Sequence, residues 1–242
     1  MVPFATEDWP AGPMRKAACA LWSWHTAVRR AEGGLQTAIP DEIGREALLV
    51  CQRHNLPRVL LDKQLEAALS VKHNTAFETT TELADYINAT AGSHAVLLAR
   101  LAGERGQWIE QPVYAFARAI FLTRSLCNLK KDLAASRLYL PQDAVNQAGV
   151  TRQQLAEGRL NAPVRRLLWK QVIRARDAYA NSRTLTQDLS GWPRRTYRRY
   201  WTGGLYILGL IEARRFDVWS KPVRLSAFGR AQVYWQTYFG KK

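Results

Sequence analysis

The sequence predicts a single all-α domain of about eight helices, and three observations carry that expectation. Apolar residues recur at i, i+3, i+4 and i+7 over most of the chain, which places them on one helical face. Capping motifs, glycines and prolines punctuate the periodic segments. No β-branched alternating run of convincing length appears, and there is no internal repeat. With 47% hydrophobic and 23% charged residues, the composition is that of a folded protein with a sizeable core.

Residues 1–13 hold three prolines and a glycine and read as an irregular arm. From Met14 to about Glu32, Ala17, Cys19, Leu21, Trp22, Trp24 and Val28 give a helix with a broad apolar face, closed by Gly33-Gly34. A second helix starts near Pro40-Asp41, with Asp41 placed to cap it, and runs towards His54. After the turn Asn55-Leu56-Pro57, Leu60, Leu61, Leu65 and Leu69 mark a third. Thr79-x-x-Glu82 is a capping box for a long helix from about Thr81 to Ala102. Its buried face runs from Leu83 through Tyr86, Thr90 and His94 to Leu101, and Ala91-Gly92 permit a close helix contact.

Pro112 opens the next helix, which carries the stretch from Phe121 to the stop at Pro141. Thr151-x-x-Gln154 has capping-box spacing before a brief helix, and residues 163–189 form a long amphipathic one. Trp192-Pro193 punctuates before a last long helix to about Phe216. The organisation expected is therefore an arm (1–13), a helical domain (14–217) and an aromatic tail (218–242).

Charge is distributed unevenly. Residues 1–120 carry 12 basic against 13 acidic side chains, and residues 121–242 carry 23 against 7. A neutral half joined to a basic half points to an anionic partner: RNA, an acidic protein or an anionic lipid surface. The candidate surface comprises Arg165, Arg166, Lys170 and Arg174 on one helix and Arg194, Arg195, Arg198 and Arg199 on another. The run Arg194 to Trp201 interleaves cations with aromatics, which suits phosphate contact plus stacking. The same run also reads as a solvated helix start whose Tyr197, Tyr200 and Trp201 pack inward.

No apolar run approaches the ~20 residues of a spanning helix. The N-terminal stretch has neither the pattern of a secretory signal nor that of a presequence. Cys19, Cys51 and Cys127 fit no disulfide or zinc spacing and read as small hydrophobes in a reducing compartment. The four histidines lack metal-ligand partners at i+3 or i+4, and no phosphate-binding glycine loop or nucleophile elbow is present.

The stretch 121–141 is the distinctive one. Leu122, Leu126, Leu129 and Leu133 share one face, and Asn128 and Asp132 sit one turn apart on a neighbouring stripe. An acidic pair four apart on a helix holds Mg²⁺ well, because a hard cation wants carboxylate oxygens. Here one member is an amide, and Lys130 and Lys131 lie between. On residue type alone, the pair reads as polar helix surface.

Anchored on Arg137-Leu138-Tyr139-Leu140-Pro141, the stretch resembles the second aspartate-rich region of the squalene/phytoene synthase family, Q-L-T-N-I-x-R-D-V-x-E-D-x-x-x-G-R-x-Y-L-P. Thr123 keeps the threonine and Asp132 falls on the second metal-binding aspartate. Asn128 stands at the first, Cys127 replaces the preceding arginine and Ser136 the glycine. Leu83-Ala84-Asp85-Tyr86 to Ala91-Gly92 and Gly149-Val150 agree as well, so the likeness covers residues ~15–217. The resemblance implies an isoprenoid-synthase-like helical bundle in which two acidic motifs on facing helices bind Mg²⁺ and ionise prenyl diphosphates. It further implies that the chain lacks the N-terminal helices, with Met14–Glu32 matching a later one.

With no D-x-x-x-D present and one motif half lost, the resemblance implies a pseudoenzyme, with a vestigial site at Asn128, Asp132, Arg137 and Tyr139 and no metal cofactor. Gln52-Arg53-His54-Asn55-Leu56, Ile211-Glu212-x-x-x-Phe216-Asp217 and the aromatic tail resemble a non-catalytic mitochondrial branch that assembles respiratory complex I. That implies a matrix or peripheral inner-membrane location and protein-subunit partners, with cardiolipin as a lipid partner. The alternatives are an RNA-bound pseudoenzyme of the mitochondrial ribosome and a residual Mg-dependent prenyltransferase using Asp132.

Overall fold

The computed structural model describes residues 9–31, 39–71, 77–104 and 106–239. Every regular element among them is helical: α1 (Pro13–Arg30), α2 (Asp41–His54), α3 (Val59–Ser70), α4 (Thr80–Ile87), α5 (Ser93–Leu101), α6 (Glu110–Ala134), α7 (Gln142–Gln147), α8 (Arg152–Ala156), α9 (Ala162–Asn181), α10 (Leu185–Asp188), α11 (Gly191–Ala213) and α12 (Ala227–Phe239). The all-α expectation holds. The helix total exceeds about eight because the helix read over 81–102 is split into α4 and α5, the one read over 163–189 ends at Asn181 with α10 after it, α7 fills a stretch read as loop, and the tail carries α12. The expected stop at Gly33-Gly34 and most of the 1–13 arm lie outside the described residues.

Several boundaries follow the local chemistry. Pro13 opens α1, where its missing N–H costs nothing. Asp41 lies inside the first turn of α2 rather than capping it, so its carboxylate acts on the helix dipole. Thr79 accepts from the Glu82 N–H, but the Glu82 carboxylate reaches the Glu78 N–H instead of completing the box. The box at Thr151 and Gln154 is complete. The long helix read over 81–102 is interrupted by a π-helical segment, Asn88–Gly92. There the Thr90 hydroxyl donates to the Tyr86 carbonyl, and Gly92 leaves room for the Tyr114 ring, which would lie 2.4 Å from a Cβ.

α6 is the spine. Its most extensive partner is α9, and α5, α11 and the π-helical segment also pack on it. At the centre of this packing Tyr179 is fully buried, its hydroxyl 3.3 Å from that of Thr123. The Trp201 indole donates to the Tyr179 carbonyl, and the Tyr197 hydroxyl donates to the Ser182 backbone carbonyl. These bonds fix α11 antiparallel against the C-terminal half of α9. They also decide the reading of the run 194–201 in favour of inward packing for Tyr197, Tyr200 and Trp201, all buried or half-buried.

Gly204 is the close-approach point of this junction: a Cβ there would lie 1.8 Å from the Tyr179 hydroxyl. Because Tyr179 has no space to retreat into, Gly204→Ala is expected to lower stability by about 3 kcal/mol. Urea unfolding checks this, and an unchanged midpoint would contradict the junction.

Candidate functional site

Between α1 and α6, closed by α5 and the Tyr139 turn, lies a cavity of about 290 Å³. One stripe of α6 forms a wall and changes character along its length. Phe116, Ala117, Ile120 and Phe121 are apolar and buried, whereas Arg124 is exposed and Ser125, Asn128 and Asp132 are polar and half-buried. Opposite, α1 contributes Trp22, His25, Thr26, Arg29 and Arg30. The cavity thus has an apolar inner end and a polar, mainly cationic outer end. Its volume sits at the lower edge of small-molecule sites, which begin near ~300 Å³.

All four residues expected to form a vestigial motif line this cavity: Asn128, Asp132, Arg137 and Tyr139. The turn that presents Arg137 and Tyr139 is held by the Arg137 N–H donating to the Asp132 carbonyl at 2.7 Å. Ser136, where the family has glycine, adopts φ 58°. The left-handed turn that favours glycine is kept, and its carbonyl accepts from Arg152 at 2.9 Å. Beyond Pro141, the N–H groups of Gln142 and Asp143 donate to the carbonyls of Phe77 and Glu78.

The helix that faces this stretch across the cavity is α1, and its cavity positions carry cations and an imidazole where acids would face Asp132. Sequence reading missed Arg29, Arg30 and Arg124. The doublet Arg29-Arg30 sits in the last turn of α1, where basic residues ordinarily complement the helix dipole. Arg29 is cemented in place: its guanidinium donates to the hydroxyls of Tyr86 (2.9 Å) and Tyr139 (3.3 Å). It lies 5.1 Å from the Phe121 ring centroid and 5.3 Å from that of Tyr139.

Deeper in, the His25 and His94 rings stack, centroids 4.4 Å apart and planes 13° from parallel, with Trp22 tilted against both. His25 pairs through Nδ1 with the Gln64 amide oxygen at 3.1 Å, while neither ring nitrogen of buried His94 has a hydrogen-bond partner. Burial, then Arg29, pushes the His25 pKa down to about 3, against the opposing pull of the Gln64 bond, with Arg124 lowering it further. Burial and then His25 hold His94 well below its ordinary value. Both rings are neutral at pH 7. Cys127 is pushed up to about 11, chiefly by burial, so its thiol is no nucleophile.

The magnesium implied by the resemblance does not fit this donor set. Among the described residues no three His, Cys, Asp or Glu side chains gather into a possible metal site. One carboxylate among arginines does not supply the oxygen ligands that Mg²⁺ demands.

The predicted basic surface divides. Arg165, Arg166 and Lys170 are exposed on the N-terminal half of α9, and half-buried Arg174 bonds the Gln171 amide oxygen at 3.4 Å. On α11, Arg195 is exposed, Arg194 and Arg198 are half-buried, and Arg199 lies over the Tyr200 ring at 5.3 Å. Since Tyr197 meets Ser182 at the far end of α9, roughly 20 Å of helix separates the two clusters. No described helix is long and apolar enough to cross a membrane.

A helical bundle closed around a cavity between facing helices is the architecture of isoprenoid synthases. The fold aligns with a crystal structure of a dehydrosqualene synthase in complex with ligand, over 96% of this chain and 88% of that one, with TM-score 0.77 and 16% identity. It aligns likewise with squalene synthase HpnC from Alicyclobacillus acidocaldarius, over 88% of each chain, with TM-score 0.74 and 20% identity. In sequence, it is 28% identical to phytoene synthase from Thermus thermophilus over 160 residues, 66% of this chain and 54% of that protein. It is 28% identical to chloroplastic phytoene synthase from Daucus carota over 146 residues, 56% of this chain and 35% of that protein. The matches thus span about a third to a half of these relatives' length. The pattern of the squalene/phytoene synthase family matches residues 6–229, and the chain belongs to that family.

The neutral histidines make stability pH-dependent. Their folded pKa values lie below the unfolded value near ~6.5, so below that pH the unfolded chain binds protons that the folded chain refuses. Stability is therefore complete above pH ~6.5 and falls as the pH drops towards the folded values, by up to about 1.4 kcal/mol per unit for each ring. His94→Phe is expected to flatten this slope relative to the unsubstituted protein. Urea unfolding at several pH values between 7 and 4.5 measures it, and parallel slopes would refute the neutral buried pair.

Proposed function

We propose that this chain is a catalytically inactive member of the squalene/phytoene synthase family that holds an anionic prenyl lipid in the α1–α6 cavity without ionising it. The observation that carries the reading is the clamped Arg29, with Arg30, Arg124 and Arg137 on the same cavity and Asp132 as the acid among its described lining residues. Guanidinium groups pair directly and bidentately with diphosphate oxygens, so a prenyl diphosphate is held without a metal bridge. A fixed cation that binds the intact diphosphate and the departing one alike lowers the dissociation constant but not the barrier. The apolar stretch from Phe116 to Phe121 accommodates the hydrocarbon.

The cellular role rests on the short motifs that resemble the complex I assembly branch. The exposed aromatic face of α12, with Phe228, Tyr234 and Trp235, suits the protein contacts which that role requires. Co-purification of a tagged copy with respiratory-complex subunits would support it, and co-purification with ribosomal proteins would favour the RNA-bound alternative instead.

Calorimetric titration with geranyl diphosphate tests the cavity reading. Binding is expected to survive EDTA and to weaken about ten-fold or more in Arg29→Gln, the scale of one lost charge-assisted bond. No diphosphate release is expected with Mg²⁺. Mg-dependent turnover that disappears in Asp132→Ala would overturn the inactive reading in favour of a residual prenyltransferase.

A further inference from the structure

A second cavity, of about 240 Å³, lies on the other side of α6, between α4 and α9. Its floor is apolar, formed by Leu83, Ile87 and Leu122, and its polar lining converges from two facing helices: Arg118 on α6, and Gln171 with Arg174 on α9. Gln171 is anomalous. It interrupts the buried stripe Val164, Leu167, Leu168, Val172, Ala175 and Tyr179, and it is itself only 2% exposed. Its carbonyl oxygen accepts the Arg174 guanidinium at 3.4 Å, which leaves Nε2 as the amide's donor end. That Nε2 is buried and has no acceptor, and the buried Nε of Arg118 has none either. A buried donor left unpaired costs roughly 1–3 kcal/mol. Two such donors, on residues that line one pocket from facing helices, point to a site whose acceptor comes from outside the chain.

We propose that this groove is a second binding site, for an aliphatic carboxylate: its head takes the Gln171 amide and Arg118 guanidinium protons, and its chain lies on Leu83, Ile87 and Leu122. The acceptor must be anionic, because Arg118 and Arg174 bracket it and exposed Lys170 and Arg166 continue the positive stripe one and two turns from Arg174 along α9. A single negative charge matches the groove better than two, because Asp177 also lines it and leaves Arg118 and Arg174 with one net positive charge to neutralise. The site shares no lining residue with the α1–α6 cavity, and it does not depend on what that cavity binds.

Titration of the full chain with decanoate, decyl phosphate and decanol, followed by calorimetry, tests the assignment. Decanoate is expected to bind, decyl phosphate no more tightly, and decanol at least ten-fold more weakly. Gln171→Leu removes the buried donor and is expected to weaken decanoate about ten-fold while leaving geranyl diphosphate binding and folding intact, since it also removes an unpaired buried group. The surface change Asp177→Asn is expected to tighten decanoate several-fold. Undiminished decanoate binding in Gln171→Leu, decanol binding as tight as decanoate, or an unchanged affinity in Asp177→Asn would overturn the proposal. Tighter decyl phosphate than decanoate would overturn the carboxylate assignment.

Discussion

The contact on which the site depends is the Arg29 guanidinium, donating to the Tyr86 and Tyr139 hydroxyls and lying beside the Phe121 ring. It joins α1 to α4, to the turn before α7 and to α6 at one point. The aromatic cluster around it, Phe77, Leu83, Tyr86, Ile87, Phe121 and Tyr139, is separate from the main core and would otherwise be a purely apolar plug. Placing a cation there has two electrical consequences. It helps keep His25 neutral in the cavity, and it makes the outer end of the cavity receptive to anions. Structural tie and ligand preference therefore come from one side chain.

α6 serves two cavities from opposite faces. Phe116, Ile120 and Phe121 face α1, while Ala115, Arg118 and Leu122 face α4 and α9. A helix used on both sides must be fixed firmly, and the Tyr179 junction does this: Thr123 approaches the tyrosine hydroxyl from α6 and Gly204 yields space to it from α11. The ion pair between Arg176 and Glu212, at 2.5 Å and about a third exposed on each side, adds little beside that burial.

Much of the fold was legible because helix signals are local. Thr79, Pro112, Thr151 and Pro193 all fall at or next to helix starts. The buried face read from Leu83 to Leu101 is the face that packs. The π-helical break at 88–92 was not legible, since the Tyr114 ring that lies against Gly92 comes from another helix, α6. At the site, Asn128, Asp132, Arg137 and Tyr139 were found because they lie within twelve residues of one another. Arg29 and Arg30 were missed because they lie a hundred residues away and look like an ordinary helix end. Gln171 did leave a signal, an amide in an otherwise apolar stripe, but its meaning depends on Arg118, which belongs to another helix.

The sequence by itself determined the helical class, most boundaries, the family and the loss of carboxylates from the stretch 121–141, because periodicity, capping and motif spacing are properties of contiguous residues. Tertiary structure alone decided which helix faces that stretch, and that it offers arginine where acid would gather metal. It also divided the basic surface into two clusters and brought two unpaired donors to one groove. Those are relations between side chains on different helices. They are set by how the helices pack on α6, where Gly92, Gly204 and Tyr179 govern how closely they approach.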